Sequence, residues 1–431
     1  MESRGIPTAP MVTARFADYV TKDAEAHGMP LRFCFPPHPV GWMPRETLQQ
    51  YIKGDDPVNG RPLMQELIDG LTVPLTEAEE KAKPKKQPRR PRLLAPASEA
   101  DFTRMFVENG WTDGLPIVLP TEERVAEMLT GTDHDPNEVI GRMSVTTHEE
   151  KLEYTVEKVA VNAVMAGARP EHFPVILALA SSQRPSLPSS TGSWASMCIV
   201  NGPIRNDIAM NSGGSALGPF NLANSVIGRA WTLLSINFGD VKMSENFTGS
   251  TGSNFNYNNL CCAENEELSV WEPFHVQKGF KASESAVSLF RGWSVQGFSV
   301  GGADRMAEVL SGIGFGGATF ILDPLVAKSL KNEGFKTKEQ LAKFIAQKAK
   351  PAGGPMGPRP RNPASINIFV IGGEWNPIFL TFDFGYTQTV AIDPWIPKSG
   401  IRHDPKPIRM PAQANCSDGM CGLPGRKAKK G

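Results

Sequence analysis

Charge of one sign, cysteine and long apolar runs are all scarce in this sequence of 431 residues. It balances 45 Lys and Arg against 45 Asp and Glu. A net charge of zero supplies no global field that would draw nucleic acid or a membrane surface. Six cysteines are too few for a disulfide framework in a chain of this length, so reduced thiols are expected. No apolar run reaches the span of a bilayer, and the opening MESRGIPTAP lacks a basic stretch leading into an apolar one. These absences point to a globular, cytoplasmic protein. No internal repeat is visible. What is plentiful is Gly (41) and Pro (37), which imply many loops, and the length implies at least two domains.

Taken in order, residues 1–75 read as part of an α/β domain: a short strand at 8–12, a helix over 16–27 stopping at Gly28, a strand at 31–35, then PPHPVGW. A lone parallel β-α-β unit leaves a sheet edge and one face uncovered, so another element is expected to complete it. Residues 76–97, with prolines among a basic run, read as a solvated linker. Residues 98–400 form the large domain, and 401–431 a polar, poorly ordered tail. Within the large domain, helices are expected over 102–109, 121–129, from Pro170 to Ala180, from Asn221, and over 303–310 and 322–349. Thr147 followed by Glu150 reads as a capping box, and the helix behind it carries Val156, Val159, Ala160, Ala163 and Val164 as a buried stripe. His148, Glu149, Glu150 and Glu153 read as its acidic first turn rather than a metal cluster. Strands are expected in GLPIVLP and over 366–371, 378–384 and 387–392. Asn201-Gly202 carries a hairpin signal. The fold class is therefore α/β: a partial (split) parallel α/β unit at the N-terminus, a linker, then a larger α+β or α/β domain.

Chemistry concentrates between Asn201 and His275. The loop NSGGSALGPFN places small residues where backbone N–H groups approach a ligand, ahead of a helix start suited to an anion. Asn201, Asn211, Ser212, Gly213, Gly214 and Asn221 are the candidate substrate contacts; the competing structural reading is a tight loop that needs its glycines. Neither a GxxxxGK[ST] loop nor a dinucleotide fingerprint is present. Further on, Cys261-Cys262 precedes Ala-Glu264-Asn-Glu266-Glu267. A thiolate is a strong nucleophile, and a buried carboxylate accepts or delivers protons. Cys261, Glu264, Glu267 and His275 are the catalytic candidates. The competing reading makes one cysteine core and the glutamates surface. Their spacing matches no zinc pattern, so no metal set is assigned and the cofactor stays open. Cys416 and Cys421, in the tail, read as free thiols, with a metal clip or a labile redox pair as the alternative.

Two resemblances sharpen this. The opening MESRGIPTAPMVTARFADYV, with CFPPHPVG around His38, resembles the C-terminal half of the bacterial UGSC-type (seleno)protein family, and more distantly the substrate-activating selenoproteins of glycine reductase. In that family a U/C-G-S-C motif sits shortly before the GIPT strand. The resemblance implies that the reactive thiol or selenol lies on a partner chain and that His38 belongs near a substrate site. The stretches VEKVAVNAVMAGARPEHFPVILA, IVNGPI, NSGGSALGPFNLANSVIGRA and CCAENEELSVWEPFHVQKGF resemble a large bacterial domain found with or fused to UGSC-type proteins. Matching positions include Asn162, Glu171, Asn201, Asn211, Asn221, Asn224, Arg229, Cys261, Glu264, Glu266, Glu267, Trp271, Glu272 and His275, which adds Arg229 to the substrate contacts. Ala168 stands where that pattern has cysteine, and Phe220-Asn221-Leu222 where it has GNR.

The expectation is a subunit of a bacterial enzyme that cleaves a carbon–heteroatom bond of a small organic acid, an oxidoreductase or lyase working with a small partner carrying a CGSC/UGSC-like motif. A metal-assisted hydratase or hydrolase and a non-catalytic scaffold subunit are the alternatives.

Overall fold

The computed structural model describes residues 5–83, 91–143, 152–192, 194–243, 246–293, 295–299, 302–313, 317–353 and 358–401. The expected capping box at Thr147, His148 to Glu150, and the Cys416/Cys421 tail lie outside them. Two compact units are present, one built mainly of residues 1–96 and one mainly of 97–431.

In the first unit, two extended segments run parallel, bridged at Met11 and Cys34; Val12 N donates to Cys34 O and Cys34 N to Pro10 O, each at 3.0 Å. Between them lies helix α1 (Ala17–Ala26), closed by Gly28 at φ +62°, where an L side chain is disfavoured. Helices α2 (Arg45–Lys53) and α3 (Leu63–Thr72) follow. The expected β-α-β path is there, but as a bridge and not a ladder. The expected linker begins too early. Thr76 caps a helical turn, α4 (Glu77–Glu80), in a capping box with Glu79, and Arg32 grips Glu79 through Nε at 2.9 Å and Nη2 at 2.7 Å. A two-point ion pair of this kind docks the segment on the unit.

The second unit opens with α5 (Glu99–Glu108) and α6 (Glu122–Leu129), capped by Ser98 and Thr121. Strands β1 (Val139–Met143) and β2 (Leu152–Thr155) pair antiparallel, so Glu153 lies in a strand beside Arg142, not in a helical first turn. Thr155 caps α7 (Val156–Met165), whose stripe from Val156 to Val164 is buried as expected. Residues 114–120 form no strand. Then come α8 (Phe173–Ser181), β3 (Ala195–Asn201), the short α9 (Ile204–Asp207), α10 (Leu222–Phe238), β4 (Leu260–Ala263), α11 (Phe274–Gln277), β5 (Ala286–Gly292) and β6 (Val295–Ser299). The chain continues through α12 (Ala303–Ser311), β7 (Ala318–Leu322), α13 (Pro324–Asn332), α14 (Lys338–Lys348), β8 (Ile366–Val370), β9 (Ile378–Phe382) and β10 (Gly385–Ala391). Asn201-Gly202 is not a hairpin: Pro203 cannot donate to a second strand, and the chain turns into α9.

These strands make two four-stranded sheets, ordered β10-β5-β3-β4 and β6-β9-β7-β8. In each, one pair is parallel (β3 with β4, β7 with β8) and the rest antiparallel. Side-chain alternation explains the layering. Met197 and Ile199 of β3 face Ile321 and Phe369 of the other sheet in one core cluster, while Cys198 and Val200 pack with Val159, Ile176 and Ile227 of the helices α7, α8 and α10. Phe320 and Ile368 face Met306 of α12 and Leu341 of α14. The unit is thus helix, sheet, sheet, helix. Both sheets are covered on both faces, which is why MCIV and ATFIL read as unbroken apolar runs. Fully burying a side chain such as Phe290 or Phe369 contributes about 1.5–3 kcal/mol.

With α9, α11 and α13 left aside, the path helix, strand, helix and three strands occurs twice, as α8-β3-α10-β4-β5-β6 and as α12-β7-α14-β8-β9-β10. The last strand of each half lies at the edge of the other half's sheet: Arg291 of β5 lies opposite Gly385 of β10 in one sheet, Val295 of β6 opposite Phe382 of β9 in the other. This is an internal repeat of topology that the sequence does not announce.

Candidate functional site

The parallel strands β3 and β4 end at Asn201 and Ala263, and β8 ends close by: Asn265 N donates to Val370 O at 2.8 Å and its Nδ2 to Gly372 O at 3.1 Å. In α/β sheets the carboxyl ends of parallel strands, where loops diverge, are the usual place for a ligand. Glu264, the first residue past β4, is wholly buried. Its Oε1 accepts from Lys338 Nζ at 2.6 Å; its Oε2 accepts from Asn201 Nδ2 at 2.7 Å and from Phe274 N at 2.8 Å. Lys338 is 3% exposed. A charge pair taken this far out of water is tolerated only with its remaining hydrogen bonds made, and Glu264 has them.

Glu266 and Glu267 are tied to the turn after β3. Asn201 Nδ2 and Gly202 N donate to Glu266 Oε1 at 3.0 and 2.8 Å. Arg205 binds Glu267 through both terminal nitrogens, at 2.8 and 2.6 Å. The Arg205 hydrogen bonds hold the Glu267 carboxyl down at about 2, well below its ordinary range. It is an anion at neutral pH, which removes the expected role of proton donor.

Cys261 is not beside Glu264. Cys261 lies within β4 and Glu264 just past its end, and the alternation of the strand sends them to opposite faces: Cys261 packs with Cys198 and the helices, Glu264 toward Asn201. Cys198 and Cys261 are in register on neighbouring strands, and the hydrogen bond from Cys261, then burial, pushes the Cys198 thiol well up. Cys262 lies on the other face, among Phe274 and Phe290. All three thiols are buried, the surroundings of core cysteines rather than of nucleophiles. His275, also fully buried, makes no hydrogen bond at either ring nitrogen among the described residues, and Asn201 Oδ1 is likewise unpaired. Among the described residues Cys261, Glu264 and His275 share no hydrogen bond, and no group of His, Cys, Asp and Glu is placed to hold a metal ion.

The glycine loop is built from its asparagines. Asn224 Oδ1 accepts from Asn211 N at 3.0 Å and its Nδ2 donates to Asn211 O at 2.9 Å, imitating a strand pair. Asn211 Nδ2 donates to Asn221 Oδ1 at 2.8 Å and Asn211 Oδ1 accepts from Gly213 N at 2.9 Å. Asn221 reaches back to Ser215 O at 2.7 Å and Gly218 O at 2.9 Å instead of capping α10. These amides shape the loop, so their expected role as direct contacts gives way to a structural one. Ser212 O accepts from Gly372 N at 3.0 Å, and Gly214 lies so close under Trp375 that a Cβ there would stand 2.9 Å from the indole. Arg229 faces away, held by Asp113 through Nε at 2.8 Å and Nη2 at 2.9 Å. His38 belongs to the first unit, exposed, with Nδ1 3.0 Å from Thr13 Oγ1 at the ends of the two parallel segments.

Lys338, Arg205 and Asp113 escaped the sequence reading. The one local hint was three glutamates within four residues, which need cations nearby when buried. A recess of about 480 Å³ lined by Thr191, Gly192, Ser250, Thr251 and Trp293 lies at the amino end of β3, the opposite end from Glu264.

Fold and site define a mixed α/β protein whose second unit gathers a buried carboxylate network at the carboxyl ends of its parallel strands. Residues 1–54 match the model of the UGSC family, so the N-terminal unit carries a UGSC-type segment. No curated protein matches the chain. No helix among the described residues is long and apolar enough to cross a membrane.

Proposed function

We propose that this chain is a subunit of a bacterial UGSC-type enzyme that cleaves a carbon–heteroatom bond of a small organic acid, with the reactive thiol or selenol on a partner chain. The observation that carries this reading is the first unit: a UGSC-type segment whose two parallel segments are joined by a single bridge, with Met11, Val40 and Trp42 turned to solvent. An unpaired strand edge flanked by apolar side chains suits completion by a further strand. The second unit supplies the binding face at the ends of β3, β4 and β8, where Glu264, Lys338 and Asn201 hold the loops in place.

A scaffold role is the second reading, favoured by the sealed state of Glu264 and the ionised state of Glu267. The two part on one assay. The chain is co-expressed with a chain bearing a C/U-G-S-C motif, and turnover of small organic acids is followed for wild type and Gly213→Met. A Cβ at Gly213 meets only Asn211 Oδ1, at 3.6 Å, and Gly213→Ala, which adds that Cβ alone, is the control for the loop's own fold. Raised KM with assembly intact supports substrate binding here; unchanged kinetics support the scaffold. Full activity of this chain alone sinks the proposed partnership.

A further inference from the structure

Beyond the Glu264 network, at the amino end of β3, the second unit holds two arginines without a carboxylate. Arg291 lies in β5 opposite Ser196 of β3 and is largely shielded from solvent. Among the described residues its one side-chain hydrogen bond is from Nη2 to Pro185 O, at 3.4 Å. A guanidinium has five N–H donors, and none of the Arg291 nitrogens is both sealed in protein and unpaired. Arg291 lines a cavity of about 40 Å³ together with the polar Arg184, Ser196 and Thr387 and the apolar Pro185, Trp231, Leu289 and Phe290. Neither arginine forms an ion pair among the described residues, whereas Arg205 and Arg229 in the same unit each hold a carboxylate. Burial, and after it the charge of Arg184, pushes Arg291 below its ordinary value. Two like charges lining one small recess repel each other, and an anion between them, or solvent at the exposed Arg184, relieves that repulsion.

We propose that the cavity between Arg184 and Arg291 is a binding site for a small oxyanion, a free phosphate or the phosphate end of an organic molecule. Its volume admits one such group and little more. The planar forks of two guanidiniums match tetrahedral oxygens in a way lysine would not.

The test is thermal unfolding of the full chain in millimolar inorganic phosphate against sodium chloride of equal ionic strength. The expected result is a saturable rise in Tm of about 2 °C or more with phosphate alone, abolished in Arg291→Gln and weakened in Arg184→Gln. Arg184 is exposed, so its variant folds even if the other does not. A simple alkyl phosphate giving the same rise assigns the site to the end of an organic molecule; a rise with inorganic phosphate alone assigns it to the free ion. Equal effects of phosphate and chloride on wild type, or an undiminished rise in Arg184→Gln, overturn the proposal.

Discussion

Replacing Lys338 with methionine tests whether the Glu264 network holds the second unit together. The substitution keeps the length of the side chain and removes its charge, leaving Glu264, wholly buried, with only the Asn201 and Phe274 donors. Stripping one partner from a buried ion pair costs about 3–5 kcal/mol, chiefly the desolvation of the stranded charge. Against a typical domain stability of roughly 5–15 kcal/mol, that is a loss no denaturation curve misses. The pair is 3% and 0% exposed, so solvent screening does not dilute the effect. Glu264→Gln in the same background should recover much of it, because glutamine's oxygen still accepts from Asn201 and Phe274 and no charge remains unpaired. The assay is urea unfolding by circular dichroism for wild type, both single variants and the double, with a constant m-value as the condition for comparing midpoints. The cycle should show a coupling of about 2 kcal/mol or more. A Lys338→Met loss under about 1 kcal/mol, or losses that simply add, would refute a buried, mutually dependent pair.

Three other outcomes are expected. Burial, and second the Arg169 charge, lowers His172 from 6.5 to about 4; its neutral form accepts from Arg169 N at 3.1 Å. A depressed histidine contributes stability in full above about 6.5 and loses it as pH falls through about 4, on the order of 3 kcal/mol. His172→Gln should flatten that stretch of the stability–pH curve, and an unchanged slope counts against it. Iodoacetamide on the folded protein should label none of Cys198, Cys261 and Cys262, all at most 6% exposed, and Cys261→Ser should fold normally; mass-spectrometric detection of fast Cys261 labelling would restore it as a nucleophile. Gly228→Ala should destabilise although alanine is the better helix former by about 1 kcal/mol: the added Cβ would sit 1.9 Å from Asn258 O and 2.9 Å from Cys261 Cβ. A gain in Tm would show that the contact between α10 and the approach to β4 yields easily.

Much of the fold was legible. The helix start at Thr121 falls where its side-chain oxygen accepts a free N–H group of the first turn, and the helix expected over 102–109 begins three residues earlier, capped in the same way by Ser98. The strands at 366–370 and 378–382 fell where apolar runs lie between turn residues. The errors have physical causes. GLPIVLP looks like a strand because it is apolar, yet Val118 N bonds only to Met165 O at the end of α7. Cys261 and Glu264 looked like neighbours because they are close in sequence; once CCA is a strand, its period of two separates them. The glycine loop was found, but its asparagines face inward to their own backbone, which their type alone does not reveal.

By itself the sequence determined what local chemistry can: the caps, the apolar runs that must be covered on both faces, the β-α-β path of the first unit and its likeness to a UGSC-type segment. Only the tertiary structure decided which distant ends meet. Lys338 reaches Glu264 across 74 residues, Arg229 finds Asp113 across 116, and the last strands of the two halves trade sheets to join the repeat. Such pairings leave no mark in periodicity or propensity, because their energy arises only when separate elements close on one another and remove both partners from water.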